Sequence, residues 1–314
     1  MTPQLDAEAQ CILDVVAAAG EPHLSTLPVD QARKRLRAAL IAKGAPLPLH
    51  GVTDVALPSP NGALRLRIYR PKPGPLPPAL FLHGGGWTVN DIDTHDDLCR
   101  QLARRSGWLL ASLDYRKAPE HRHPAQLEDT HLAYRWLLDN AEAIGADGAN
   151  PALFGESSGA NTAAGLALLL RDLGAPTPLL QALAYPALDY PDRWPSYRER
   201  GTGYILDREL MFWYLGHLLA EDERREDPYL FPLTGDDLSG LPPTLLLTAE
   251  FDPLRDEGIA YARRLAEAGV EVEHVHAEDQ MHGFLLLGKV VTRASALIDS
   301  AADALARARD RAST

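Results

Sequence analysis

Ala152-Leu153-Phe154-Gly155-Glu156-Ser157-Ser158-Gly159-Ala160 is the stretch on which the fold turns. An apolar triplet suited to a buried strand runs into Gly-x-Ser-x-Gly, and the helical pattern Ala160 to Leu170 follows at once. A strand-to-helix turn this tight leaves no room for side chains at Gly155 and Gly159. It holds the central serine in a strained conformation with its hydroxyl exposed above the sheet. Ser157 is the candidate nucleophile. A chance Gly/Ser turn would carry the same letters without the strand before and the helix after.

Outward from this turn the pattern repeats. Ala79 to His83, Trp108 to Leu113, Leu179 to Tyr185, Thr244 to Thr248 and Val270 to Val275 are short apolar runs separated by longer helical ones. Strands that are almost continuously apolar and alternate with helices predict a mostly parallel sheet covered on both faces, an α/β fold. Leu127, His131, Tyr134 and Leu138 mark one intervening helix by their spacing. Earlier in the chain the period is two: Val52, Val55 and Leu57, then Leu64, Leu66 and Ile68, with Asn61-Gly62 as a hairpin signal between them. That pair predicts an antiparallel strand near the N-terminal edge. The first 45 residues read as two short helices, with Ile12, Val15 and Val16 and then Leu36, Leu40 and Ile41 as apolar positions, parted by Pro22 and Pro28. Pro191 to Ser239 breaks the rhythm, with one helical stretch near Leu210 to Leu219, and reads as an inserted functional element.

A serine needs a base, and the base needs an anionic partner. In the α/β hydrolases, whose nucleophile turn this Gly-x-Ser-x-Gly resembles, the order is serine, then acid, then histidine. Asp252 follows the strand Thr244 to Thr248 and is the candidate acid; Glu250 lies too near the strand end, and Asp256 and Glu257 read as first-turn charges of the next helix. His282, beside Gly283 on a loop, is the candidate base, ahead of the mid-strand His276. His83-Gly84-Gly85-Gly86 supplies a backbone that approaches a ligand closely. The N–H groups of Gly84 and Gly85, with that of Ser158, are the expected oxyanion donors. Neither phosphate-loop spacing is present. His121 and His123 lack a third ligand at sensible spacing, so no metal is expected, and the chemistry requires no cofactor.

Composition narrows the partners. Of 314 residues, 31 are basic and 43 acidic, a net charge of -12, which leaves no basic footprint for nucleic acid or an anionic membrane surface. Two cysteines, Cys11 and Cys99, make no disulfide framework. No apolar run approaches the ~20 residues that span a bilayer, and Asp6, Glu8 and Asp14 interrupt any signal-peptide core, so a cytoplasmic location is expected.

With these motifs assembled, the sequence resembles the hormone-sensitive-lipase-like carboxylesterases of the α/β-hydrolase superfamily from about residue 50 to residue 290. The resemblance rests on His83 to Trp87, Asp114-Tyr115-Arg116 with Ala118-Pro119-Glu120, the serine motif, Asp252-Pro253-Leu254 and His282-Gly283-Phe284. It implies the α/β-hydrolase fold, with a triad of Ser157, Asp252 and His282 acting on short- to medium-chain acyl esters through an acyl-enzyme. It also implies a helical cap from residues 1–45 and 190–228 over a catalytic core of 46–189 and 229–314, and a homodimer. Trp87 and Trp213 are candidate pocket walls. Glu156, Ser158 and Ala160 depart from the family's usual Gly-Asp-Ser-Ala-Gly-Gly, and His83 is expected to steady the glycine loop. Two other readings share these residues: an amidase or peptidase with the same triad, and a non-catalytic small-molecule receptor, which in this superfamily lacks the histidine that stands here at 282.

Overall fold

The computed structural model describes residues 3–41, 44–220 and 226–312. Among them one eight-stranded sheet organises the chain, in the order β1-β2-β4-β3-β5-β6-β7-β8. Its strands are β1 (Gly51–Leu57), β2 (Leu64–Arg70), β3 (Pro78–Leu82), β4 (Leu109–Asp114), β5 (Ala152–Glu156), β6 (Gln181–Ala184), β7 (Thr244–Phe251) and β8 (Val272–Met281). Only β2 opposes its neighbours, pairing antiparallel with both β1 and β4; every other pairing is parallel. The α/β-hydrolase fold expected from the sequence is the fold found, antiparallel strand included. The loop from β1 to β2 is longer than a two-residue hairpin, and Gly62 supplies its positive φ of 105°.

The helices are α1 (Ala7–Ala18), α2 (Val29–Leu40), α3 (Asp96–Ser106), α4 (Ala125–Asp139), α5 (Ala141–Ile144), α6 (Ser158–Asp172), α7 (Ser196–Glu199), α8 (Arg208–Leu218), α9 (Arg255–Glu267) and α10 (Thr292–Ala312). Central strands such as β3, β5 and β6 are buried along their whole length, because helices cover both faces. One core packs α4, α6 and α9 on one side of the sheet; the other packs α3 and α10 on the opposite side. α3 shows the local logic. Asp96 and Asp97 occupy its first turn and Arg104 and Arg105 its last, complementing the helix dipole, and Gly107 closes it in the left-handed region at φ 73°.

Two differences from the sequence reading have simple causes. In α4 the buried stripe runs through Leu127, Thr130, Ala133, Tyr134 and Leu137, so His131 and Leu138 fall on its half-buried margins. In α1 only Ala9 is buried, and Val15 and Val16 stay exposed at 63% and 54%, because this helix touches the body along one narrow edge. A third apolar cluster joins Leu24 and Ala32 to Leu206, Leu210, Met211, Tyr214, Leu215 and Leu218, with Trp87 and Leu254 among its members. The segments before β1 and after β6 therefore pack on each other above the strand ends. Residues 1, 2, 42, 43 and 221–225, which belong to the stretches expected to form a cap, lie outside the described residues. Among the described residues no helix is long and apolar enough to cross a membrane.

Candidate active site

In a parallel sheet all C-terminal strand ends open on one edge, so loops from distant parts of the chain meet there. β3 delivers His83 to Gly86 to that edge, β5 delivers Ser157, β6 Tyr185, β7 Asp252 and β8 His282. Ser157 has φ 55° and ψ −123°, a conformation that side chains other than glycine's rarely adopt. Tight packing holds it there: a Cβ on Gly155 would overlap the Gly159 carbonyl, and one on Gly159 would overlap that of Leu82. Both glycines of the motif are thus sterically required.

The loop histidine reaches the turn. His282 Nε2 lies 2.9 Å from Ser157 Oγ, and His282 Nδ1 lies 2.8 Å from Asp252 Oδ2. The other Asp252 oxygen accepts the Leu254 N–H at 2.8 Å, which fixes the carboxylate in its turn. An anionic acceptor at Nδ1 keeps the proton on that nitrogen, so the Nε2 lone pair faces the serine hydroxyl. Asp252 is wholly buried and His282 nearly so, with the Tyr185 ring 4.7 Å from the imidazole, centroid to centroid.

The residues set aside in the sequence are engaged elsewhere. Glu250 still belongs to β7; it accepts from Arg200 at 2.6 Å and Arg255 at 2.9 Å. Burial pushes its carboxyl up, but the two guanidiniums and His276 outweigh that and hold it below the usual carboxylate range. His274 and His276 share one face of β8, both 2.9 Å from Thr248 Oγ1. His123 bonds Asp227 and Gln126, and His121 is exposed. No cluster able to hold a metal ion occurs among the described residues. Glu257 departs from its reading as a first-turn charge. It is wholly buried and accepts the Leu188 N–H at 3.1 Å, and burial pushes its carboxyl well above the usual range, so it is held neutral.

The glycine loop is braced from several sides. His83 is buried, stacks on Tyr115 with centroids 4.3 Å apart, and donates through Nδ1 to the Gly84 carbonyl at 2.8 Å. Desolvation lowers the His83 pKa well below its usual value, so the ring is a neutral prop. A Cβ on Gly84 would overlap the Glu156 carboxyl, and one on Gly86 would overlap the Tyr214 ring of α8. Ser158 opens α6, where helix geometry leaves the first N–H groups without intrahelical acceptors. Trp87, at φ 57°, is buried in the third cluster, and half-buried Trp213 sets its edge against Tyr214 and His217.

Sequence reasoning did not single out Tyr185 behind His282, or His95, whose Nε2 lies 2.9 Å from Glu156 Oε1. His95 precedes a helix whose opening acids explain themselves, and nothing in the linear pattern ties it to a residue 61 positions on.

Residues 79–286 match the family model described as alpha/beta hydrolase fold. Among curated proteins, the carboxylic ester hydrolase LipN of Mycobacterium tuberculosis is 41% identical over 262 residues, 81% of this chain and 70% of that protein. The ethyl acetate hydrolase of Pseudomonas putida is 36% identical over 306 residues, 94% of this chain and 95% of that protein. Among solved structures, the ester-hydrolase EH1AB1 from the metagenome of Lake Arreo, complexed with a bipyridine phosphonate derivative, superposes with a TM-score of 0.93. It is 38% identical, and the match covers 97% of this chain and 99% of that one.

Proposed function

The chain belongs to the alpha/beta hydrolase fold family whose model it matches, and on that footing we propose that it is a serine carboxylesterase. It hydrolyses carboxylic esters. The observation that carries the reading is the continuous relay from Asp252 through His282 to Ser157 Oγ, beside a glycine loop.

Ser157 attacks the ester carbonyl as His282 Nε2 takes the hydroxyl proton, and Asp252 holds the tautomer and stabilises the imidazolium that results. The tetrahedral oxygen develops charge against the N–H groups of Gly84, Gly85 and Ser158. Of the three, the Gly84 N–H is already engaged as a hydrogen-bond donor to the Glu156 carboxyl. Removing one such donor typically costs ~3–4 kcal/mol of transition-state stabilisation. His282 then returns its proton to the leaving alcohol, the acyl-enzyme forms, and the same ring activates water to release the acid. No step calls for a metal or cofactor.

The segments before β1 and after β6 act as a cap whose shared apolar cluster roofs the strand ends. A roofed site favours short- to medium-chain acyl groups, with Trp87 and Trp213 on the cap side of the pocket. β8 closes the sheet at one edge and leaves backbone groups for a second copy, which supports a homodimer through β8 and α10. The acidic balance and two cysteines fit a cytoplasmic setting.

A panel of p-nitrophenyl esters of rising acyl length, run beside a p-nitroanilide, tests the reading. Turnover of the short esters, falling with chain length and absent for the anilide, is expected. Anilide turnover without ester turnover would make the protein an amidase, and inertness to both would support a receptor.

A further inference from the structure

Glu156 and His95 are both buried, at 2% and 0% exposure, directly behind the nucleophile turn. Their hydrogen bonds fix how many protons they hold. Thr94 Oγ1 donates its single hydrogen to the Asp91 carbonyl at 2.7 Å, since a carbonyl only accepts. The same oxygen accepts the Asp91 N–H at 3.0 Å. Toward His95 Nδ1, 2.9 Å away, it is therefore an acceptor, and Nδ1 carries a proton. His95 Nε2 and Glu156 Oε1 lie 2.9 Å apart with a second proton between them. Whichever atom holds that proton, the pair has no net charge.

We propose that His95 is a positioning residue of the reaction: its shared proton neutralises the Glu156 carboxyl, which touches Gly84 and precedes Ser157, so that no lone negative charge opposes the developing oxyanion. This rests on the serine-esterase reading above and adds to it a second histidine and acid.

The surroundings leave this pair in control of the local charge. Burial would push the Glu156 carboxyl up, yet the His95 hydrogen bond and charge, aided by His282, hold it below its usual range. Tyr115 after β4, Tyr185 after β6 and Tyr214 of α8 also face the carboxyl, and burial raises all three phenols, which stay neutral. The His83 ring, 5.6 Å from that of His95, is held neutral by desolvation with Lys117 beyond it. Around His282 the charged neighbours are Asp252, hydrogen-bonded to it, and Glu156.

The test is kcat/KM against pH on a short p-nitrophenyl ester for the full chain, its His95→Gln and Glu156→Gln variants and the double variant, each checked for fold by circular dichroism. His95→Gln strands a carboxylate beside the site; it should lower kcat about tenfold or more with KM little changed. Its acid limb should move to higher pH, because a nearby anion favours the protonated form of His282. Adding Glu156→Gln removes the stranded charge, so the double variant should recover kcat and the wild-type limb. A double variant no better than His95→Gln overturns the proposal and leaves the pair a packing role. Should His95→Gln not fold, Glu156→Gln alone decides: a neutral amide in place of an already neutralised carboxyl should leave the acid limb at its wild-type pH, and a limb moved to lower pH would reveal an uncompensated carboxylate in the unaltered chain and overturn the proposal. Absent ester turnover in the unaltered chain would instead defeat the esterase reading, a distinguishable failure.

Discussion

Ser157 and His282 stand 125 positions apart in the chain and 2.9 Å apart in space, hydroxyl oxygen to imidazole nitrogen. The parallel strands β5 and β8 end on the same edge of the sheet with β6 and β7 between them, and the turns that follow them meet across those two strands. Asp252 then sets the angle of the ring from the far side at 2.8 Å.

Replacing the ring should separate base from bystander. His282→Asn removes the proton acceptor and should lower kcat/KM for an ester by roughly 10⁴-fold, near what loss of one member costs other triads. His276→Asn forfeits contacts with Thr248 and Glu250, away from the serine, and should stay close to wild type. Steady-state kinetics on both variants checks the assignment, and the reverse ranking would transfer the role to His276.

Backbone strain at position 157 gives a stability test that needs no substrate. At φ 55° and ψ −123° alanine is as strained as serine, whereas glycine relaxes. Strain of this kind is worth about 1–3 kcal/mol, and glycine's greater unfolded-chain entropy offsets about 0.5–1. Ser157→Gly should therefore melt above Ser157→Ala by about 1 kcal/mol of stability, though both are inactive. Equal melting temperatures would mean that the turn stores no strain.

Glu257 sets a pH dependence whose sign follows from burial. Desolvation raises its folded-state pKa well above the unfolded value, so between the two the folded chain holds a proton that the unfolded chain has lost. Stability from this group is complete below the unfolded pKa and drains away as pH climbs through the folded one. Glu257→Gln keeps the shape without the titration. Thermal melts should show the variant level with wild type below the unfolded carboxyl value of ~4.3 and gaining on it as pH rises above that. A gap that does not widen with pH would contradict a buried, neutral Glu257.

The sheet and the relay were legible because their signals are local. Short apolar runs mark strands buried on both faces, and the Gly155 and Gly159 positions advertise a turn that admits no Cβ. The same locality explains the misses. Val15 and Val16 show helical spacing, but spacing does not say that α1 rests on the body by one edge. Glu257 occupies a first-turn position favourable to a charge, and only the packing of α9 against the loop after β6 reveals that it is sealed from water. His95 acquires its meaning from Glu156, a strand away, which no periodicity encodes.

Covalent labelling probes the central claim most directly. A fluorophosphonate needs an activated serine, so the intact protein should gain one adduct per chain, mapped by mass spectrometry to Ser157, and His282→Asn should label far more slowly. Ester turnover with Ser157 unmodified, or equal labelling rates with and without His282, would contradict the account.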